Sequence, residues 1–127
     1  MMLRLVIVGI GGFVGAIGRY TLSGLVHRLT GSTFPVGTLA VNVCGCFLLG
    51  ALMQMVTVEG AFAPNVRLFL SIGLLGAFTT FSTFGYETLA LIDAGDFLHA
   101  GLNVLYNVVL GIAAVWLGRT LLELLGY

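Results

Sequence analysis

Four apolar runs, at about residues 3–26, 36–58, 66–92 and 97–124, take up most of this chain and leave only short connections between them. A hydrocarbon core of about 30 Å is crossed by roughly 20 helical residues, so each run is long enough for one span. Inside a bilayer the backbone must satisfy its own hydrogen bonds within the segment or in a closed barrel. Runs of this length therefore predict helices. Composition points the same way: 59% of the 127 residues are hydrophobic and 8% are charged, and the mean hydropathy is +1.13. That is too little polar surface for a water-soluble domain. The expectation is an all-α membrane protein with four transmembrane helices, a single integral membrane domain over residues 1–127 with no extramembrane enzyme.

The five basic residues are all arginine and are matched by five acidic ones. Without a basic run, neither nucleic acid nor an anionic membrane surface is an expected partner. Cys44 and Cys46, two positions apart on a helix, point about 200° away from each other. An intrachain disulfide does not close in that geometry, and no histidine lies nearby to suggest zinc, so both read as small packing residues. The first run begins like a secretory signal at Arg4, but its length and the return of apolar residues after Arg19 favour a retained span. Arg4, Arg67 and Arg119 fall on one side and Arg28 on the other. A bias this weak lets a chain insert both ways and pair as an antiparallel dimer, and it also occurs in proteins of single topology.

Nineteen glycines are present, and pairs such as Gly11 with Gly15, or Cys46 with Gly50, have the spacing that lets helices approach closely in a membrane. A tight bundle or oligomer follows. Gly76 stands apart, because it opens "GAFTTFSTFGYE" halfway through the third run. Adjacent Thr79 and Thr80 after small residues suggest a helix broken near mid-span. Such a break leaves carbonyls at the end of one half-helix and N–H groups at the start of the next, an arrangement that can hold a cation and attract an anion. Beyond it, Thr79, Ser82 and Tyr86 share one face, Thr80, Thr83 and Glu87 share the neighbouring face, and Phe81 and Phe84 form an aromatic pair. Ring edges carry positive potential and can face an anion.

Arg19, Asn42, Glu87, Asn103 and Asn107 are further polar groups within the runs. Each is costly in lipid and is expected to face the bundle interior or water, either joining helices or lining a pathway. Arg19 suits a position near the interface, where its charge draws anions to a vestibule, and Glu87 lies close to the other end of its run. No paired carboxylates, nucleophile triad or metal-ligand cluster supports catalysis.

"GGFVGAIGRY" in the first run, "GTLAVNVCGCFLLG" in the second and "GLLGAFTTFSTFGYE" in the third resemble the bacterial fluoride channels called Fluc or CrcB, over nearly the whole chain. The resemblance implies passive, fluoride-selective export through two antiparallel pores of a dual-topology homodimer in the bacterial plasma (inner) membrane. Such export relieves the cell of fluoride that entered as hydrofluoric acid and dissociated. It also implies a structural sodium ion where two broken third helices cross, held by backbone carbonyls that fall on Gly76 and Thr79. By motif position the fluoride pore takes Asn42, Phe81, Phe84, Ser82 and Thr83, and the vestibule takes Arg19, with Glu87 near a mouth. Ala77 stands where the family commonly has a second glycine, and it tolerates positive φ poorly, so a break here requires a right-handed Ala77. The fourth run matches more loosely, with Tyr106 a candidate pore contact. A proton-coupled small multidrug exporter, the competing transporter class of this size, needs an acid in its first helix, and the first run has none. A non-transporting assembly subunit would explain the glycines and leave the hydroxyl and phenylalanine cluster without a purpose.

Overall fold

In a computed structural model, which describes residues 1–57 and 62–127, the chain forms helix α1 (Met2–Thr30), α2 (Val36–Thr57), a segmented third span, and α6 (Phe97–Leu124). The third span consists of α3 (Pro64–Leu68), a π-helical stretch (Phe69–Leu75), α4 (Gly76–Phe78) and α5 (Phe81–Asp93). Met2–Thr30, Val36–Thr57, Pro64–Asp93 and Phe97–Leu124 are each long and apolar enough to cross a membrane. The protein is thus all-α and multi-pass, with a bent third helix. Val58, the expected end of the second run, lies outside the described residues, as does the start of the following loop through Ala61.

Local chemistry sets the ends. α1 continues past Val26 to Thr30, where Gly31 at φ 57° takes the left-handed conformation and returns its N–H to the His27 carbonyl at 3.0 Å. His27 and Arg28 occupy the last turn, where a positive charge suits the helix dipole. Pro64 starts α3 at a position where its missing N–H has no helical partner to lose. Gly95 at φ 77° turns the chain after α5. Asp96 then caps α6, accepting the His99 N–H at 3.2 Å while its other oxygen lies 2.7 Å from His99 Nδ1. The His99 N–H, and then the His99 ring, hold the Asp96 carboxyl below the usual carboxylate range.

Two glycine seams hold the bundle together. A Cβ on Gly50 would overlap the Val115 carbonyl, and one on Gly118 would overlap the Phe47 carbonyl, so α2 and α6 meet backbone to backbone. A Cβ on Gly11 would stand 2.7 Å from the Phe69 carbonyl oxygen and 3.0 Å from Gly73 Cα, and one on Gly15 would overlap the Leu74 carbonyl, so α1 meets the π-helical stretch in the same manner. Association in lipid depends on such close packing, because lipid tails are as apolar as leucine. Among the described residues the buried apolar side chains are correspondingly few, Val41, Leu52, Leu75, Ala100 and Ala114, while Phe13, Phe97 and Ile112 among many others point outward.

Candidate functional site

The interruption of the third span falls at Thr79 and Thr80, both extended, at φ −79°, ψ 157° and φ −147°, ψ 111°. Gly76 itself is helical at φ −64°, ψ −31°. No non-glycine residue among those described has positive φ, so Ala77 is right-handed, as a break next to it requires. Thr79 still donates its N–H to the Leu75 carbonyl at 3.2 Å, and the helix stops at Thr80, whose N–H and carbonyl meet side-chain partners in place of the helical ones. Thr80 Oγ1 accepts the Thr83 N–H at 3.2 Å and so caps α5. The Thr80 N–H donates to Asn42 Oδ1 at 2.8 Å, and Asn42 Nδ2 donates back to the Thr80 carbonyl at 3.2 Å. One carboxamide from α2 thus pairs with an extended residue as a neighbouring strand would. With the N–H groups of Thr80 and Thr83 engaged this way, the carbonyls four residues earlier, of Gly76 and Thr79, are released from their helical partners.

A chain of amides continues from Asn42. Its Nδ2 also donates to Asn107 Oδ1 at 2.9 Å. Asn107 Nδ2 donates to the backbone and side-chain oxygens of Asn103, both at 3.0 Å. Asn103 Nδ2 donates to Thr88 Oγ1 at 2.9 Å, and the Thr88 hydroxyl donates to the Phe84 carbonyl at 2.8 Å. Asn103 is 0% exposed, a position tolerated because each of its polar groups has a partner. The chain joins α2, α6 and α5 and touches the third span on both sides of Phe81.

Among the described residues, three clefts border this framework. One, of about 320 Å³, is lined by Asn42, Gly76, Thr79, Phe81, Phe84 and Asn107 among others. The rings of Phe81 and Phe84 stand 5.5 Å apart at 53°. A second, of about 430 Å³, lies across Thr80 and includes Arg19, His27, Thr38 and Thr83. A third, of about 300 Å³, takes in His27, Phe34, Tyr86 and Glu87. Arg19 and Glu87, both expected near a vestibule, therefore border different clefts, with His27 common to the two. Glu87 Oε1 accepts the Thr38 hydroxyl at 2.8 Å, and its Oε2 is buried without a partner. Ser82 is exposed, its hydroxyl 3.5 Å from Thr80 Oγ1. Tyr106 packs its ring edge-on to Phe34 at 6.1 Å and lines none of the three clefts.

Among the described residues no group of three His, Cys, Asp or Glu side chains could hold a metal. The released carbonyls of Gly76 and Thr79 are hard oxygen donors of the kind that suits an alkali cation. Asn42, Phe81 and Phe84 come together with Gly76 and Thr79, and Thr83 joins Arg19. The clamp on Thr80 and the π-helical stretch have no counterpart in the sequence reading. Asn103 and Asn107 carried a signal, being two costly amides four residues apart on one helical face.

Residues 6–119 match the profile of the family described as CrcB-like protein, Camphor Resistance (CrcB). The chain is 46% identical over 117 residues to the fluoride-specific ion channel FluC of Geobacter sulfurreducens, covering 92% of this chain and 94% of that one. It is 44% identical over 118 residues to fluoride-specific ion channel FluC 1 of Methanosarcina acetivorans, covering 93% and 89%. With FluC of Dehalococcoides mccartyi the identity is 45% over 122 residues, covering 96% and 94%.

Proposed function

The chain belongs to the CrcB family, and on that premise we propose that it is a fluoride-specific ion channel, passing fluoride down its gradient without catalytic turnover. The observation that carries this reading is the mid-span break, which sets an amide, released backbone groups and two phenylalanine rings around one cleft. Fluoride holds its water strongly, so a pore must offer replacements for hydration along the way. Arg19 raises the local anion concentration at the second cleft, where low-dielectric walls focus its field. Thr83 and Ser82 supply hydroxyl donors beside Thr80. Asn42 supplies an amide, and the edges of Phe81 and Phe84 present weak positive potential that favours a small anion without trapping it. Glu87, held by the Thr38 hydroxyl, stands near a mouth in this reading.

The working unit in this reading is an antiparallel homodimer with two pores. The carbonyls of Gly76 and Thr79 would hold a sodium ion where the two breaks meet, and a bound cation there would neutralise oxygens that lack N–H partners. Liposomes loaded with fluoride or chloride and monitored with ion-selective electrodes test the proposal. Fluoride efflux well above that of empty liposomes, with chloride retained, is the expected result. Absence of fluoride flux, or equal chloride flux, would overturn it.

A further inference from the structure

The carboxamide of Asn42 has two N–H bonds, and both are engaged within the protein. Its orientation is forced: the Thr80 N–H can only donate and so faces Oδ1, while the Thr80 carbonyl can only accept and so faces Nδ2. The remaining Asn42 N–H points at Asn107 Oδ1, 2.9 Å away. Asn107 cannot simply turn its amide over, because its own Nδ2 is committed to two oxygens of Asn103, each at 3.0 Å. Asn103 is in turn fully buried and fixed by Thr88. Asn42 and Asn107 line the same cleft as Phe81 and Phe84. An anion that reaches Asn42 therefore meets no free N–H. It can take the one aimed at Asn107 while the bond to the Thr80 carbonyl stays in place and keeps the break intact.

We infer that Asn107 Oδ1 is a built-in competitor for the fluoride-binding N–H of Asn42, a latch that the ion displaces, and that Asn103 is the positioning residue that aims it. The inference rests on the fluoride-channel reading. Its chemical consequence is a threshold. An entering anion must be compact and a strong enough hydrogen-bond acceptor to replace an amide carbonyl, which fluoride is and chloride is not. Displacement is reversible, because Asn107 remains anchored to α6 and recaptures the N–H when the ion leaves. The site can then bind without holding on, as conduction demands.

The test is fluoride flux from liposomes over a series of fluoride concentrations at pH 8, for wild type and for substitutions of Asn107 and Asn103. Asn107→Ala removes the competitor and should lower the fluoride concentration for half-maximal flux by about fivefold, the factor that one ordinary hydrogen bond is worth. Asn107→Asp keeps an acceptor at that place and adds charge, so the half-maximal concentration should rise. Asn103→Ala should shift it in the same direction as Asn107→Ala and by less. Asn107→Ser, too short to reach Asn42, carries the same expectation as alanine should the latter not assemble. Shifts of opposite sign support the latch, because a merely structural role would not produce them. Variants of Asn107 that all move the same way, all lose flux, or leave the half-maximal concentration unchanged, beside a conducting wild type, would overturn it. A wild type carrying no fluoride would overturn the channel reading and the latch with it.

Discussion

Replacing Gly11 by alanine puts a methyl group against backbone that has nowhere to go. The added Cβ would lie 2.7 Å from the Phe69 carbonyl oxygen, 3.0 Å from Gly73 Cα and 3.0 Å from the Leu74 nitrogen. Restoring an ordinary contact of 3.4 Å requires α1 or the π-helical stretch to retreat by about 0.7 Å, which also loosens the neighbouring contacts along the seam. Overpacking of this kind costs about 1–3 kcal/mol, while alanine gains up to about 1 kcal/mol over glycine in helix propensity. Gly12→Ala separates the two effects. Its Cβ would meet Ala77 Cβ at a comfortable 3.9 Å, so it keeps the propensity gain without the clash. The difference between the two variants should therefore be about 1–3 kcal/mol, Gly11→Ala being the less stable. Reversible unfolding of the detergent-solubilised protein, followed by far-ultraviolet circular dichroism, measures it. Equal stability of the two variants would refute the claim that the Gly11 seam is closed by the third span.

Phe81→Ile and Phe84→Ile should each reduce fluoride efflux while the protein still elutes as the wild-type assembly, and undiminished efflux would return both rings to packing. Prolonged dialysis against sodium-free, N-methylglucamine-based buffer should abolish flux, with recovery on adding sodium back; flux indifferent to sodium would remove the role given to the Gly76 and Thr79 carbonyls. The Asp96 cap has a depressed folded-state pKa, so its stabilising contribution is present above the unfolded carboxyl pKa and lost as pH falls through the lower folded value. Hydrogen exchange at the start of α6 should accelerate, relative to the rest of α6, only on strong acidification. Asp96→Asn, which retains a capping oxygen, should flatten that dependence; an unchanged profile would show that Asp96 is not its source.

The spans were legible because long apolar runs admit few alternatives in a bilayer, and the third was legible as broken because hydroxyls and small residues interrupt it. The adjacent threonines marked where it breaks, and the chain does open at Thr79 and Thr80, while Gly76, which begins the stretch, is itself helical. What holds the break open was not legible. The deciding partner is Asn42, which lies 38 residues earlier and becomes adjacent only when α2 packs beside the third span. The π-helical stretch from Phe69 to Leu75 was equally hidden. The wider turn leaves little trace in a segment that is apolar apart from Ser71. Asn103 and Asn107 announced themselves as polar residues on one face, but their connection to Asn42 depends on how α2 lies along α6. Arg19 and Glu87 looked alike as charges near span ends, and only the fold separates them into different clefts.

Asn42 and Asn107 sit on the two helices whose backbones touch at Gly50 with Val115 and at Gly118 with Phe47. That joint works as a gauge block for the carboxamide pair, since a contact without side chains has no rotamers to absorb an error. Gly50 is eight residues beyond Asn42, about 12 Å along the helix axis. A methyl group added there tilts one helix against the other and is read at the far end as a change in amide spacing. In the proposed channel, the affinity of the carboxamide pair for an ion would then be adjustable from Gly50, which lines none of the three clefts.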